Sequence, residues 1–357
     1  MDNLTNATAQ LREALVNLKK SDTWGQIVTP KEGVFARFGP LLQPSHITAL
    51  TEEEIRPFFY FEHNHHWTGL FRQVNRLCSD MPRLRQVLTV LLDESQPIDS
   101  RLDQCGGAIT GLGKGIMTAI LTVAYPEKYG VWNNVSEDGM FKVGIWPDFP
   151  RGTSLGTKYL QINQTLTKLK EALQVDFWTL DAVWWQLGHG DETPITPVTA
   201  ATTTGTSSSE AVQRFGLERH LQDFLYDNWA SIELGQDWVI YSEKGEPDAG
   251  YEYTCGVGRI DILARHRTLP KWLVIELKRE DTSDEVVGQA LRYMGWVRKH
   301  LAESNEEVHG LIIARVGDEA LSYAVSAVPN LKFMTYWNRE SNRGPGRAKR
   351  RRAARAE

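Results

Sequence analysis

The chain has 357 residues, 41% hydrophobic, 24% charged and 10% aromatic, with a net charge of −5; this excludes a collagenous or wholly disordered protein and allows two ordinary domains. No apolar run reaches the roughly 18 residues a bilayer span needs, and residues 1–20 lack the charged-then-apolar order of a secretory signal. Cys78, Cys105 and Cys255 lie far apart without CxxC spacing, which argues against a disulfide framework or a thiolate zinc site and fits a reducing, cytoplasmic (nucleoid-associated) setting.

The N-terminal part is predicted to be mainly helical. Apolar residues recur at helical spacing over 4–19, 84–92, 115–124, 160–173 and 178–187. Between them, Glu62-His63-Asn64-His65-His66-Trp67 carries three histidines. As a strand it would turn His63 and His65 to one side and His66 to the other, with no flanking Cys or second His/Asp pair to complete a metal site, so a polar loop or substrate-contact segment is expected. Trp67, Trp132 and Trp146 read as core side chains, with stacking on a base as the alternative.

Residues 109–120, ITGLGKGIMTAI, form a Gly-x-Gly turn that opens an apolar helix. Gly111 and Gly113 allow close backbone approach to a phosphate, the helix N-terminus offers free N–H groups, and Lys114 adds a full charge. The segment resembles the helix-hairpin-helix of DNA-binding and glycosylase-like scaffolds, which implies grip on a DNA backbone without sequence readout. The alternative is a turn between two core helices. In glycosylases of that kind a catalytic Asp follows the hairpin. Here Asn133 or Asn134 stands in that neighbourhood, and Gly115 stands where lyase-type members have Lys, so the scaffold is expected without the glycosylase chemistry.

Residues 193–209, TPITPVTAATTTGTSSS, hold no charge and no aromatic, which is the composition of a flexible linker. The expected organisation is a helical DNA-binding domain over 1–190, a Thr/Ser/Pro-rich linker over 191–212, an α/β domain over 213–337 and a basic disordered tail over 338–357. After the linker come a helix (217–228), strands (238–241, 259–264 and 272–278), a helix (284–301), a strand (310–314), a short helix and a last strand (331–336). That order predicts an α/β sandwich around a central mixed sheet.

Two of those strands carry the chemistry. Gly-Arg-Ile-Asp-Ile-Leu (258–263) sets Asp261 among apolar residues, and 14 residues further on Trp-Leu-Val-Ile-Glu-Leu-Lys-Arg (272–279) supplies Glu276 and Lys278 on one face. Were the strands neighbours, the two carboxylates would repel, and a hard divalent cation, Mg²⁺ or Mn²⁺, would relieve the repulsion with the Leu277 carbonyl as a third ligand. Lys278 would orient or deprotonate the attacking water. Glu218 opens the preceding helix and can approach the metal. Gln289, Arg292, Tyr293 and Trp296 follow i, i+3, i+4, i+7 as a polar-aromatic face, with Gln289 holding water or phosphate, Arg292 a phosphate oxygen, and Arg292 and Tyr293 both expected to face DNA.

Taken together, E-x-x-L-x-x-x-L, G-R-I-D-I-L, I-E-L-K-R and G-Q-x-x-R-Y resemble the PD-(D/E)xK nuclease superfamily, in particular the catalytic domain of NucS-type (mismatch) endonucleases, over about 120 residues. The resemblance implies a restriction-endonuclease-like fold and a catalytic set of Glu218, Asp261, Glu276, Lys278 and Gln289, with Tyr293 in support. The activity expected is metal-dependent hydrolysis of DNA phosphodiesters in genome defence or repair; double-strand cutting would need two such centres, which makes a homodimer one expected assembly. A DNA-binding adaptor with an inactive nuclease fold is the alternative. Residues 338–357 hold eight Lys/Arg against Glu340 and Glu357, a net +6 that leaves −11 on the rest. Arg350, Arg351 and Arg352 are therefore expected to add salt-sensitive, sequence-independent attraction to phosphates.

Overall fold

The computed structural model describes residues 3–150, 152–189 and, within 221–336, all except 223, 227, 244, 248, 279, 280 and 283. The linker, Glu218 and the tail with Arg350, Arg351 and Arg352 lie outside the described residues.

Helix α1 (Asn3–Leu18) buries Ala7, Leu11, Ala14, Leu15 and Leu18, the stripe its sequence spacing demands. Shorter helical turns lead to α2 (Met81–Leu91), α3 (Ile98–Cys105), α4 (Lys114–Ala124), α5 (Asn134–Lys142), α6 (Leu155–Leu173) and α7 (Phe177–His189). One hydrophobic core runs through them, from Ala7 to Trp184. Trp67 and Trp132 belong to that core, and Trp146 packs against its edge.

Helix α4 is buried from Ile116 to Ala124, so its hydroxyls cannot turn to water. Thr118 Oγ1 donates to the Lys114 carbonyl at 2.8 Å and accepts from the Trp132 N–H at 2.9 Å, and Thr122 Oγ1 donates to the Thr118 carbonyl at 2.9 Å. These bonds lay residues 129–133 along α4 and deliver Asn133 to the start of α5. There the Asn133 side chain accepts from the Ser136 N–H at 2.8 Å, and Ser136 Oγ accepts from the Asn133 N–H at 3.0 Å. This reciprocal cap starts the helix.

The histidine segment differs from its sequence expectation. Phe61–Asn64 is a single helical turn that ends at His65 with φ of 54°. Buried Asn64 organises the turn: its Oδ1 accepts from the N–H groups of His66 (2.8 Å) and Trp67 (2.7 Å), while its Nδ2 donates to the Phe58 and Trp67 carbonyls. Local side-chain bonding of this kind overrides a strand-like alternation. His66 is turned inward, with Nε2 2.8 Å from Asp181 Oδ2.

The sheet is mixed. Strands β1 (Trp238–Ile240), β2 (Tyr251–Cys255), β3 (Gly258–His266), β4 (Lys271–Leu277), β5 (Glu307–Ala314) and β6 (Leu331–Thr335) are arranged in the order β1-β3-β4-β5-β6, with β2 also paired to β3. β3 runs antiparallel to β1, β2 and β4, whereas β4, β5 and β6 are parallel. The parallel connections pass through α8 (Glu285–His300) and α9 (Glu319–Ser326), as parallel crossovers require. One face of the sheet packs on Val286, Ala290, Met294 and Val297 of α8, and the other on Leu225 and Trp229. With both faces covered, β4 reads Trp-Leu-Val-Ile-Glu-Leu, buried throughout. Glu276 is the polar exception in that run.

Candidate active site

β3 and β4 are adjacent, and their register pairs Ile262 with Ile275, which when continued sets Asp261 opposite Glu276. The α8-facing side of the sheet therefore presents Asp261, Glu276 and Lys278 together, and all three line one cleft of about 550 Å³ with Gln289 and Tyr293 of α8. Glu276 is 2% exposed, and its Oε1 accepts from Lys278 Nζ at 2.7 Å. Asp261 Oδ2 accepts from the Leu277 N–H at 2.7 Å, and the Asp261 carbonyl accepts from Gln222 Nε2 at 3.0 Å. Gln289 Nε2 lies 3.5 Å from Tyr293 Oη.

These donors suit a hard cation. Two carboxylates and a backbone carbonyl at Leu277 are an all-oxygen set, and Mg²⁺ takes one or two carboxylates and fills its remaining positions with water and phosphate. Among the described residues no group of three His, Cys, Asp or Glu side chains converges, so a metal here would draw its further ligands from that carbonyl and from water.

Glycine shapes the rim. Gly258 opens β3 with φ of 132°, and a Cβ there would lie 2.7 Å from Tyr293 Oη. Tyr293 itself is 3% exposed: the sequence placed it on an outward DNA-facing side of the helix, but its ring joins the buried stripe and only the cleft edge remains to it. Arg292 is exposed on α8 with its guanidinium 5.2 Å from the Tyr293 ring centroid; it does not line the cleft described above.

The opposite wall comes from the helical part. Asp138, Phe141 and Lys142 of α5 line the cleft, along with Cys255, Gly256 and Arg259 of the β2–β3 hairpin. Phe141 stacks on Trp146 at 4.8 Å, and Lys142 Nζ donates to the Leu187 carbonyl at 2.7 Å. Asn134 Nδ2 donates to Glu252 Oε2 at 3.1 Å, with Glu252 at φ of 50°. Lys158 pairs with Glu243 and, at 3.7 Å, with Glu246.

The glycine hairpin between α3 and α4 sits at the same junction. Gly111 has φ of 90° against Gln73, and Gly113 precedes α4 in extended conformation, so both glycines lie in the turn expected before α4. Lys114 does not project into open space as a phosphate contact would. Its Nζ lies 2.6 Å from Glu137 and 3.6 Å from Glu246. Burial disfavours its charge, but Glu137 and Glu246 outweigh burial and hold the ammonium above the usual lysine range. Asn133, near the position of a glycosylase aspartate, spends its side chain on the α5 cap and on Asp181, 3.2 Å away.

Several wall residues, Arg259 and Asp138 among them, escaped the sequence analysis. Arg259 had a signal, since it stands two residues before Asp261 and alternation turns it to the same face. Asp138 had none, because it comes from the helical part about 120 positions upstream.

No family model and no curated protein matches the sequence. Two solved structures are similar in part: an EndoMS–double-stranded DNA complex, 17% identical over 39% of this chain with a TM-score of 0.26, and a repair endonuclease from Pyrococcus abyssi, 19% identical over 38% with a TM-score of 0.25. The chain spans about half the length of each, 48% and 49%. Among the described residues no helix is long and apolar enough to cross a membrane.

Proposed function

We propose that the chain is a metal-dependent DNA endonuclease that hydrolyses phosphodiester bonds. The observation that supports this most directly is the meeting of Asp261, Glu276 and Lys278 on one face of two paired strands, inside one cleft. Asp261, Glu276 and the Leu277 carbonyl would hold Mg²⁺ or Mn²⁺, which when bound neutralises phosphate charge and lowers the pKa of water. Lys278 sits within reach of the same carboxylate and would orient the attacking water and offset charge on a phosphate oxygen. The water oxygen bonds to phosphorus, the bridging P–O bond breaks, and the leaving oxygen departs with the electron pair and takes up a proton. Gln289 and Tyr293 would fix the strand edge at the mouth of the cleft. Glu218 would add to catalysis as the sequence resemblance implies, and Arg350, Arg351 and Arg352 would add salt-sensitive grip on phosphates through their charge, in defence or repair.

The test uses the full chain with plain, mismatched and modified duplexes, with and without Mg²⁺. Asp261→Ala and Lys278→Ala should abolish cleavage and leave gel-shift binding largely intact. Undiminished cutting by either variant removes the assignment, and abasic-site formation in EDTA would point to base excision instead.

A further inference from the structure

Arg259 stands on the Asp261 side of β3 and lines the same cleft as Asp261, Glu276 and Lys278. Its side chain is 40% exposed, against 2% for that of Arg101, an arginine spent on the core. Across the cleft its Nη1 lies 4.0 Å from Asp138 Oδ2, too long for a hydrogen bond, so the pair is held by charge alone. Glu252, tied to Asn134 of α5, sets a second carboxylate nearby. A planar guanidinium with open donor positions suits phosphate oxygens. In a body whose net charge is −11 outside the tail, a polyanion needs such local cations.

We propose that Arg259 is a substrate-positioning residue that grips a nucleic-acid phosphate at the cleft, and that Asp138 of α5 competes with that phosphate for the guanidinium. The helical part thereby sets the affinity of the sheet part for its substrate. The inference rests on the nuclease reading for the ligand being nucleic acid, and not for the cation–carboxylate competition itself.

The test is a double-mutant cycle on the full chain, read by fluorescence anisotropy with a labelled 20-base-pair duplex in EDTA over a salt series, so that no cleavage enters. Arg259→Ala should weaken binding about tenfold and lower the salt slope by about one, and Arg259→Lys should restore the slope but only part of the affinity. Asp138→Asn should tighten binding severalfold, and that gain should vanish on the Arg259→Ala background. A merely structural Asp138 would give no gain, and a general charge effect would keep the gain without Arg259. Either result overturns the proposal, as does a wild-type chain that binds no duplex. Should Arg259→Ala fail to fold, Arg259→Gln, which removes the charge and keeps the polar bulk, carries the cycle with Asp138→Asn. If the cycle holds while Mg²⁺ elicits no cleavage, the nuclease reading fails and the phosphate grip stands.

Discussion

Glu276 illustrates how a site residue can work against the fold that carries it. Its neighbours in β4 are apolar, and it is 2% exposed, so its charge carries a desolvation cost that Lys278 helps to offset. Glu276→Gln keeps the shape and removes the charge, and Lys278, 30% exposed, can rehydrate. We predict that this variant abolishes Mg²⁺-dependent cleavage while its Tm stays the same or rises by a few degrees. Calorimetry showing a Tm drop would mean that the carboxylate serves the fold. Lys114 makes the opposite case. Glu137 is 6% exposed and faces Lys114 at 2.6 Å, so Lys114→Ala leaves a buried carboxylate unmatched, at a cost of about 3–5 kcal/mol. Urea unfolding should recover most of that loss when Glu137→Leu is added to Lys114→Met. A phosphate-binding lysine at the surface would show neither the loss nor the recovery.

At the scale of elements, the turn over Phe61–Asn64 depends on one side chain. Asn64→Ala deletes an amide that bonds four backbone groups in the core, and leaving them buried without partners should cost about 2–4 kcal/mol. Chemical denaturation that finds the variant unchanged would show that Asn64 is incidental. This turn also shows what the sequence withheld. A one-turn helix has no periodicity to read, and His63 and His65, spaced by two, mimic strand alternation. The long helices were legible because burial on one face repeats over several turns: α1, α2, α4, α6 and α7 overlap their expected spans, although burial extends α6 back to Leu155, where Ser154 caps it. β2 was missed because Tyr251, Glu252, Tyr253 and Thr254 are only half-buried at the edge of the sheet, so it lacks the apolar run that marks β3 and β4. The register that joins Asp261 to Glu276 was a condition the sequence could state but not settle, since strand adjacency is a tertiary fact. The α5 wall was beyond it for the same reason.

For the whole molecule, several of the contacts between the helical part and the sheet are ion pairs: Lys158 with Glu243 and Glu246, Lys114 with Glu246, and Arg259 with Asp138. Salt and charge reversal should therefore loosen the junction before they disturb either core. The buried cysteines report on this. Burial pushes the Cys255 thiol up to about 11 and the Cys105 thiol up to about 12; the thiolate is the reactive form, so alkylation should be slow at pH 8 and rise about tenfold per pH unit below those values. Cys255 lies at the cleft under α5, whereas Cys105 is inside the helical core. Lys158→Glu should therefore speed alkylation of Cys255 and leave Cys105 unchanged in the native chain. Equal acceleration at both thiols would indicate general destabilisation, and none at either would mean that Lys158 does not hold the junction.

The junction also contains a place where two backbones meet without side chains between them. A Cβ on Gly106 would fall 2.7 Å from the Gly245 carbonyl, and Gly245, with φ of 84°, leaves only 3.1 Å to Leu155. Charged partners can swing aside or trade one counterion for another, but a seam with no clearance cannot accommodate a methyl group by rotating a rotamer. A single added carbon there acts as a wedge, prising the two halves apart while leaving every ion pair chemically intact, and so separates the mechanical closeness of the halves from their electrostatic attraction.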